Sequence, residues 1–367
     1  AERLCIIMIK TLQKAGNKVT LVTTDKTNWP LIEKKYGLTC KLDRELFLIP
    51  NIFETASLTS RVAITLSSFL AESFLLKLKE KHDLLINTSG EVINLMEDIA
   101  YINAVPMRIA FDYPESLPIE NSWWRCCSRI YNLFLKAVDK LNSNSLLLTN
   151  SKFNDTVIRK CFGRHALVIY PPVDVEKFKQ SFTNKKRNNL VITVSRLRPG
   201  KNLEYILKVA RVVRDSKFLI VGPSYKASEI TIREINRSAE KLGVRNRIQM
   251  LTNQPLPVLL RMLSEAKVLL HTQTYEAFGM SIVEAMAAGC VPVVPRNGGP
   301  WFDILDQKQG EYGYSYGSVK EAAEVIKMLM DDEGMREEVS ARASRRATAF
   351  DISVFERKIL NVVNEVC

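Results

Sequence analysis

Two glutamates stand eight positions apart in TYEAFGMSIVEAMAAG (274–289), Glu276 before a Phe-Gly-Met turn and Glu284 after it. Ile282, Val283, Met286 and Ala287 fall on one face, a period that predicts a helix opening near Gly279–Ser281. A helix start presents free backbone N–H groups and the positive end of the dipole, which together hold anions. Gly279 lets that backbone approach a phosphate with no Cβ in the way. Carboxylates beside such a site accept hydrogen bonds from sugar hydroxyls, one from the ribose of a nucleotide and the other from a hexose beyond its diphosphate. The plainer alternative is an ordinary helix start with a solvated glutamate. A second stretch, VSRLRPGKNLEYILKVA (194–210), sets Arg196 and Lys201 around a loop between a strand and a helix opening near Asn202. Two cations there would neutralise a departing diphosphate; Arg198 reads as solvated. A third, VPRNGGPWFDIL (294–305), puts Gly298 and Gly299 directly after a strand. They serve either close approach of a sugar or phosphate, or a plain turn. His271 ends a strand beside the glutamate loop.

The elements that must position these groups are short, continuous, Val/Ile/Leu-rich runs. In the first half they are 19–24, 84–87, 107–111, 145–150 and 166–170; in the second, 190–195, 217–222, 247–251, 267–271 and 291–295. Continuous rather than alternating apolar runs are those of parallel strands buried on both faces. Helical periodicity fills the gaps, at 201–213, 255–264 and 318–330 among others. The fold class is therefore α/β, two Rossmann-like doubly wound domains with parallel sheets. PPVDVEKF followed by SFTNKKRNN reads as a linker over 171–189, dividing a domain at 1–170 from one at 190–348, with a last helix over 349–367. The sequence, AERLCIIMIKTLQKAGNKVTLVTT, opens directly in a helix that feeds a strand, so a first strand and its glycine-bearing loop are expected to precede it.

Composition narrows the partners. Over 367 residues, 46% hydrophobic and 25% charged, with no apolar run of membrane-spanning length, the chain has the composition of an ordinary soluble globular protein. The net charge of +12 favours anionic partners, but the cations are spread out, with one cluster at Lys185, Lys186 and Arg187. Phosphate-bearing small molecules or a membrane surface fit this better than nucleic acid, which draws a denser basic stripe. Seven scattered cysteines without metal-ligand spacing read as reduced thiols of a cytosolic protein. No G-x-G-x-x-G follows a strand, which argues against a dinucleotide-dependent dehydrogenase.

The R-x4-K after a strand, the E-x7-E around FGM, AMAAG and the NGGP loop together resemble the retaining nucleotide-sugar glycosyltransferases of family 4, which have the GT-B fold. FGMSIVEAMAAG, NGGPWFDI and VIYPPVDVEKF narrow the likeness to the α-mannosyltransferases of dolichol-linked oligosaccharide assembly, and NSKFNDTVIRKCFG (150–163) also fits the family. The resemblance covers nearly the whole chain and is strongest over 145–305. It implies transfer of a hexose, mannose from GDP-mannose, onto a glycan or lipid-linked acceptor, with the donor in a cleft between the domains. Arg196 and Lys201 would bind the donor diphosphate and Glu276 the transferred sugar, helped by backbone at Phe278, Gly279 and Met280. Glu284 would hold the ribose. The donor is a substrate, and no cofactor or metal is implied; no Asp-x-Asp stands in the sequence. Retention without a protein nucleophile implies front-face attack.

Where such proteins carry a histidine in the first domain, RIAFDYPE (108–115) has Asp112, a candidate catalytic residue and also a mark of altered or lost activity. Trp123, Trp124, Tyr131 and Phe134 mix with Arg125, Arg129, Lys136 and Lys140 across 122–141, as in helices that lie on a membrane. That would place the protein in the cytoplasm, peripheral on the cytoplasmic face of a membrane. A non-catalytic GT-B binding or partner subunit is the competing expectation, resting on Asp112 and the missing opening loop.

Overall fold

The computed structural model describes residues 2–23, 26–47, 72–88, 97–105, 145–180, 187–198, 200–225 and 228–367. Chain contacts divide it into two units, one of Ala1–Asn150, Asn154–Ile169 and Phe355–Cys367, the other of Ser151–Phe153 and Tyr170–Val354.

The first unit opens with helix α1 (Glu2–Lys14), whose Leu4, Ile6, Ile7, Met8, Ile9 and Leu12 are buried. Strand β1 (Thr20–Thr23), helix α2 (Trp29–Tyr36) and strand β2 (Arg44–Phe47) follow, and the two strands pair in parallel. After helix α3 (Glu72–Lys79) comes a parallel sheet in the order β3 (Ile86–Asn87), β4 (Ile99–Ile102), β5 (Leu146–Thr149) and β6 (Leu167–Val168). Helix α4 (Lys152–Phe162) connects the last two strands. Tyr101 is fully buried in this unit, donating its hydroxyl hydrogen to Ile169 O at 2.5 Å and meeting the Phe355 ring edge-on at 6.4 Å. Lys14 pairs with Glu356 at 3.0 Å. Phe355 onward thus completes the first unit although it comes last in sequence.

In the second unit a short helix, α5 (Val175–Lys179), leads into alternating strands and helices. These are β7 (Asn188–Val194), α6 (Glu204–Val212), β8 (Lys217–Gly222), α7 (Ser228–Lys241), β9 (Ile248–Thr252), α8 (Leu256–Glu265), β10 (Ala266–Leu270), α9 (Met280–Ala287), β11 (Val291–Pro295) and β12 (Tyr314–Tyr316). Helices α10 (Val319–Asp331), α11 (Glu333–Ala347) and α12 (Ile352–Val366) close the chain. The six strands are all parallel in the order β12-β11-β10-β7-β8-β9. The alternation inside each strand shows why the sequence runs are continuous. Val191, Phe218, Ile220, Val268 and Leu270 point into one core, while Ile192, Leu219, Val221 and Leu269 point into the other. Each face of the sheet is covered, so neither face of a strand is polar.

Several expectations meet the structure differently. RELF, IAYI and YSY form strands β2, β4 and β12 that were not anticipated; each is four residues or fewer and carries no long apolar run. Helix α6 opens at Glu204 rather than near Asn202. The supposed linker is partly core: Val173, Val175 and Phe178 are buried against the α9 side of the sheet, because V-x-V-x-x-F sets three apolar side chains on one face. Arg187 is not part of a solvated basic cluster. It is 5% exposed and donates to Leu263 O at 2.8 Å, Ala266 O at 2.6 Å and Ala288 O at 2.5 Å. The 107–111 strand lies outside the described residues. Among the described residues no helix is long and apolar enough to cross a membrane.

Candidate active site

In an open parallel sheet a crevice forms where the strand order reverses, outside the carboxyl ends of the two strands that flank the reversal. In the second unit those strands are β7 and β10. The loop after β7 carries Arg196 and Lys201, and the loop after β10 carries His271 to Gly279. Topology alone therefore brings together residues about 75 positions apart.

The two loops are fastened to each other. Thr272 Oγ1 donates to Lys201 O at 2.8 Å, and Asn202 Nδ2 donates to Thr272 O at 3.3 Å. Asn202 sits at φ 50°, a left-handed conformation that asparagine tolerates better than most side chains. Leu197 anchors the first loop with no exposed surface. Gly222, ending β8, passes so close that a Cβ there would lie 1.8 Å from Ser195 O. Nothing but glycine fits at this point.

At the centre Lys201 Nζ lies 3.0 Å from Glu276 Oε2 and also donates to Gln273 Oε1. The two charged side chains keep only 10% and 20% of their exposure. His271 Nε2 approaches the same Glu276 oxygen at 3.9 Å from a position 5% exposed. Burial lowers the Lys201 pKa, and the nearby Glu276 opposes that shift without cancelling it. Burial would raise the Glu276 pKa, but Lys201 and His271, with a smaller contribution from Arg196, outweigh it and hold the carboxyl below its usual range. His271 is pushed down to about 4, chiefly by burial, and is neutral at physiological pH.

Helix α9 begins directly beyond. Gly279 is its N-cap at φ 97°, and no side chain caps that end. The first-turn N–H groups and the positive dipole end are open to an anion. Phe278 turns its ring away from the site, stacking on Tyr170 with centroids 5.6 Å apart and meeting Phe350 at 5.3 Å. It offers the site backbone only. Glu284 lies half-buried one turn into α9.

The third loop has a role that neither reading of Gly298 and Gly299 contained. Gly299 N donates to Glu276 O at 2.8 Å, and Asn297 Oδ1 accepts from Tyr275 N at 3.2 Å. A Cβ on Gly298 would stand 2.7 Å from Glu276 O, and one on Gly299 2.1 Å from Ala277 O. The glycines let the loop after β11 press against the loop that holds Glu276, so they brace the site. Gln273, Asn202, Thr272 and Asn297 were missed in the sequence. Polar residues immediately after buried parallel strands were the available signal. Asp112 and the segment 122–141 lie outside the described residues. Among the described residues no three His, Cys, Asp or Glu side chains converge as a metal site.

A parallel sheet in each unit, and in the second a paired cation and carboxylate beside an uncapped helix start at the strand reversal, define the GT-B class. Solved structures of that fold align along the whole chain. The lipopolysaccharide-biosynthesis glycosyltransferase WaaG has a TM-score of 0.70 at 18% identity, covering 98% of this chain and 95% of its own. Sucrose-phosphate synthase from Thermosynechococcus elongatus gives 0.71 at 14%, covering 98% and 91%. Residues 174–346 match the family described as "Glycosyl transferases group 1". Curated relatives include proteins named GDP-Man:Man(3)GlcNAc(2)-PP-Dol alpha-1,2-mannosyltransferase. The one from Homo sapiens is 28% identical over 254 residues, 65% of this chain and 50% of the relative. That from Dictyostelium discoideum is 25% identical over 276 residues, 69% and 54%. The chain spans about half the length of these relatives.

Proposed function

We propose that the chain transfers mannose from GDP-mannose to a lipid-linked glycan, the donor and acceptor that the names of its relatives give for them, and that it does so with retention. The observation that carries this is the Lys201–Glu276 pair, nearly buried at the strand reversal and adjacent to the uncapped start of α9. The diphosphate would lie against the N–H groups of α9, its charge balanced by Lys201 and by Arg196, which is exposed and free to reach outward. Glu276, kept ionised by its surroundings, would accept from hydroxyls of the transferred sugar, and Glu284 from the ribose. As the glycosidic bond breaks, negative charge builds on the leaving phosphate, and these fixed positive groups stabilise it more than the ground state. The departing phosphate oxygen would take the acceptor proton. A lipid-linked acceptor requires work at a membrane surface, on its cytoplasmic face, and the net charge of +12 favours that.

The test is titration of the chain with GDP, UDP and ADP, each with and without its sugar, beside Lys201→Ala and Glu284→Ala. Selective GDP binding, weakened roughly ten- to a hundred-fold in each variant, is expected. No nucleotide binding would defeat the reading and favour a partner subunit that keeps the fold without turnover.

A further inference from the structure

The imidazole of His271 is a buried polar group with unused capacity. Its Nε2 has no hydrogen-bond partner among the described residues, and the side chain is nine-tenths buried. A buried ring nitrogen left in this way is uncommon and lowers stability unless something compensates. Its place is firmly set. His271 N donates to Val293 O at 2.9 Å in the neighbouring strand, and its carbonyl accepts from Tyr316 Oη at 2.7 Å. Tyr316 is in turn stacked on Tyr205, with centroids 5.1 Å apart. The backbone at His271 is thus held from β11 and β12, and its buried ring sets Nε2 3.9 Å from Glu276 Oε2.

The distance matters because of what Lys201 is doing. In the structure the ammonium is engaged by Glu276 and Gln273. An anion arriving at the start of α9 competes for the same ammonium, and Glu276 then loses its nearest counter-charge while still mostly buried. We infer that His271 is a positioning residue: it takes over the Glu276 carboxylate through Nε2–H when the donor diphosphate draws Lys201 away, and so holds that carboxylate in place for the sugar. The exchange needs a movement of about 1 Å to bring Nε2 and Oε2 to hydrogen-bond distance. It uses the Nε2–H tautomer of a neutral ring, so no proton is taken up or released. Glu276 stays a carboxylate, and His271 touches neither nucleotide nor sugar.

This role rests on the nucleotide-sugar reading of the site, and the two can fail separately. The charged groups facing the imidazole are Glu276 from its own loop and Lys201 from the loop after β7, and Arg196 acts in turn on Glu276. GDP and GDP-mannose are titrated calorimetrically into the full chain and into His271→Gln and His271→Phe, at several pH values, with His271→Ala replacing the Phe variant where that one does not fold. GDP affinity is expected to fall less than GDP-mannose affinity in the Phe and Ala variants, because water in the place of the sugar can solvate the Glu276 carboxylate that Lys201 releases, whereas mannose excludes that water. The ratio of GDP-mannose to GDP affinity is expected to fall roughly ten- to a hundred-fold without the donor. Glutamine, whose amide N–H reaches the place of Nε2–H, is expected to restore it. The acidic limb of GDP-mannose binding should move to higher pH in the Phe or Ala variant, since Glu276 protonates more readily there. A Phe or Ala variant with an unchanged ratio, or a Gln variant as impaired as Phe, overturns the role while leaving GDP binding intact. A wild-type chain that binds no GDP overturns the donor site and this role together.

Discussion

Replacing Lys201 by methionine keeps most of the side chain's volume and removes its charge from beside Glu276. At 3.0 Å and an effective dielectric constant near 20, the lost attraction is about 5 kcal/mol. The net effect is smaller, because the pair also gave up hydration to form; breaking one side of a buried pair typically destabilises by about 3–5 kcal/mol. The carboxylate has an escape, which is to bind a proton. From an ordinary value of 4.5, protonation at pH 7.5 costs about 4 kcal/mol, whereas at pH 5.5 it costs about 1.4 kcal/mol. The loss in Lys201→Met is therefore capped near 4 kcal/mol at pH 7.5 and shrinks toward 1–2 kcal/mol at pH 5.5. The sign follows from the direction of the shift. In the variant the folded-state pKa of Glu276 lies above its unfolded value, so the variant recovers as pH falls and loses ground as pH rises. Adding Glu276→Gln removes the stranded charge, and the double variant should regain most of the stability while its GDP binding stays weakened roughly ten- to a hundred-fold. Urea unfolding of wild type, both single variants and the double variant at the two pH values measures all of this. A loss independent of pH, or a double variant as unstable as Lys201→Met, would refute the claim that an uncompensated buried carboxylate is the cause.

Three further outcomes follow from described contacts. His271 is held near pKa 4 in the fold against an ordinary 6.5, so the unfolded chain protonates first and its stability contribution is lost as pH falls through that window. Between pH 7 and pH 5 the wild type should lose about 2 kcal/mol that His271→Gln does not lose, as read by urea unfolding at the two ends. Gly299→Ala would drive a methyl group to 2.1 Å from Ala277 O and should destabilise by at least about 1–3 kcal/mol while weakening GDP-mannose binding through Glu276. Gly317→Ala, whose nearest neighbour would be the Glu321 carboxylate at 3.8 Å, is the control and should leave the melting temperature within a degree or so. Arg187→Met would strand the Leu263, Ala266 and Ala288 carbonyls and should lower stability by about 3–5 kcal/mol in urea titrations, with Arg187→Lys recovering only part because one ammonium lacks the planar fork.

Much of this molecule is visible in one sequence because buried parallel strands leave little choice of residue. Runs such as LVITVS, KFLIVG and VPVVP have to be apolar on both faces, and that pattern, repeated with amphipathic helices between, gives the doubly wound sheet directly. Glu276, Lys201 and Gly279 were legible for the same reason, since a strand end followed by a helix start is where such sheets hold ligands. What escaped was anything decided across the chain. Arg187 looks like its lysine neighbours until carbonyls from the junction of α8 with β10 and from the end of α9 converge on it. Gly298 and Gly299 advertise room for a ligand, and the room turns out to be filled by the backbone of Glu276 and Ala277. YSY shows no strand signal, yet Tyr316 reaches His271 because β12 pairs with β11.

The assignment of Phe355–Cys367 to the first unit has a consequence for how the protein is made. Synthesis runs from the amino terminus, so every residue of the second unit leaves the ribosome before the segment carrying Phe355 does. The first unit is begun first and finished last. During that interval the face of Tyr101 that Phe355 later covers stays open to water, and the second unit is free to fold on its own. The order in which the two units mature is thus the reverse of the order in which they start, and a nascent chain stalled before residue 355 would carry a complete second unit tethered to an unfinished first one.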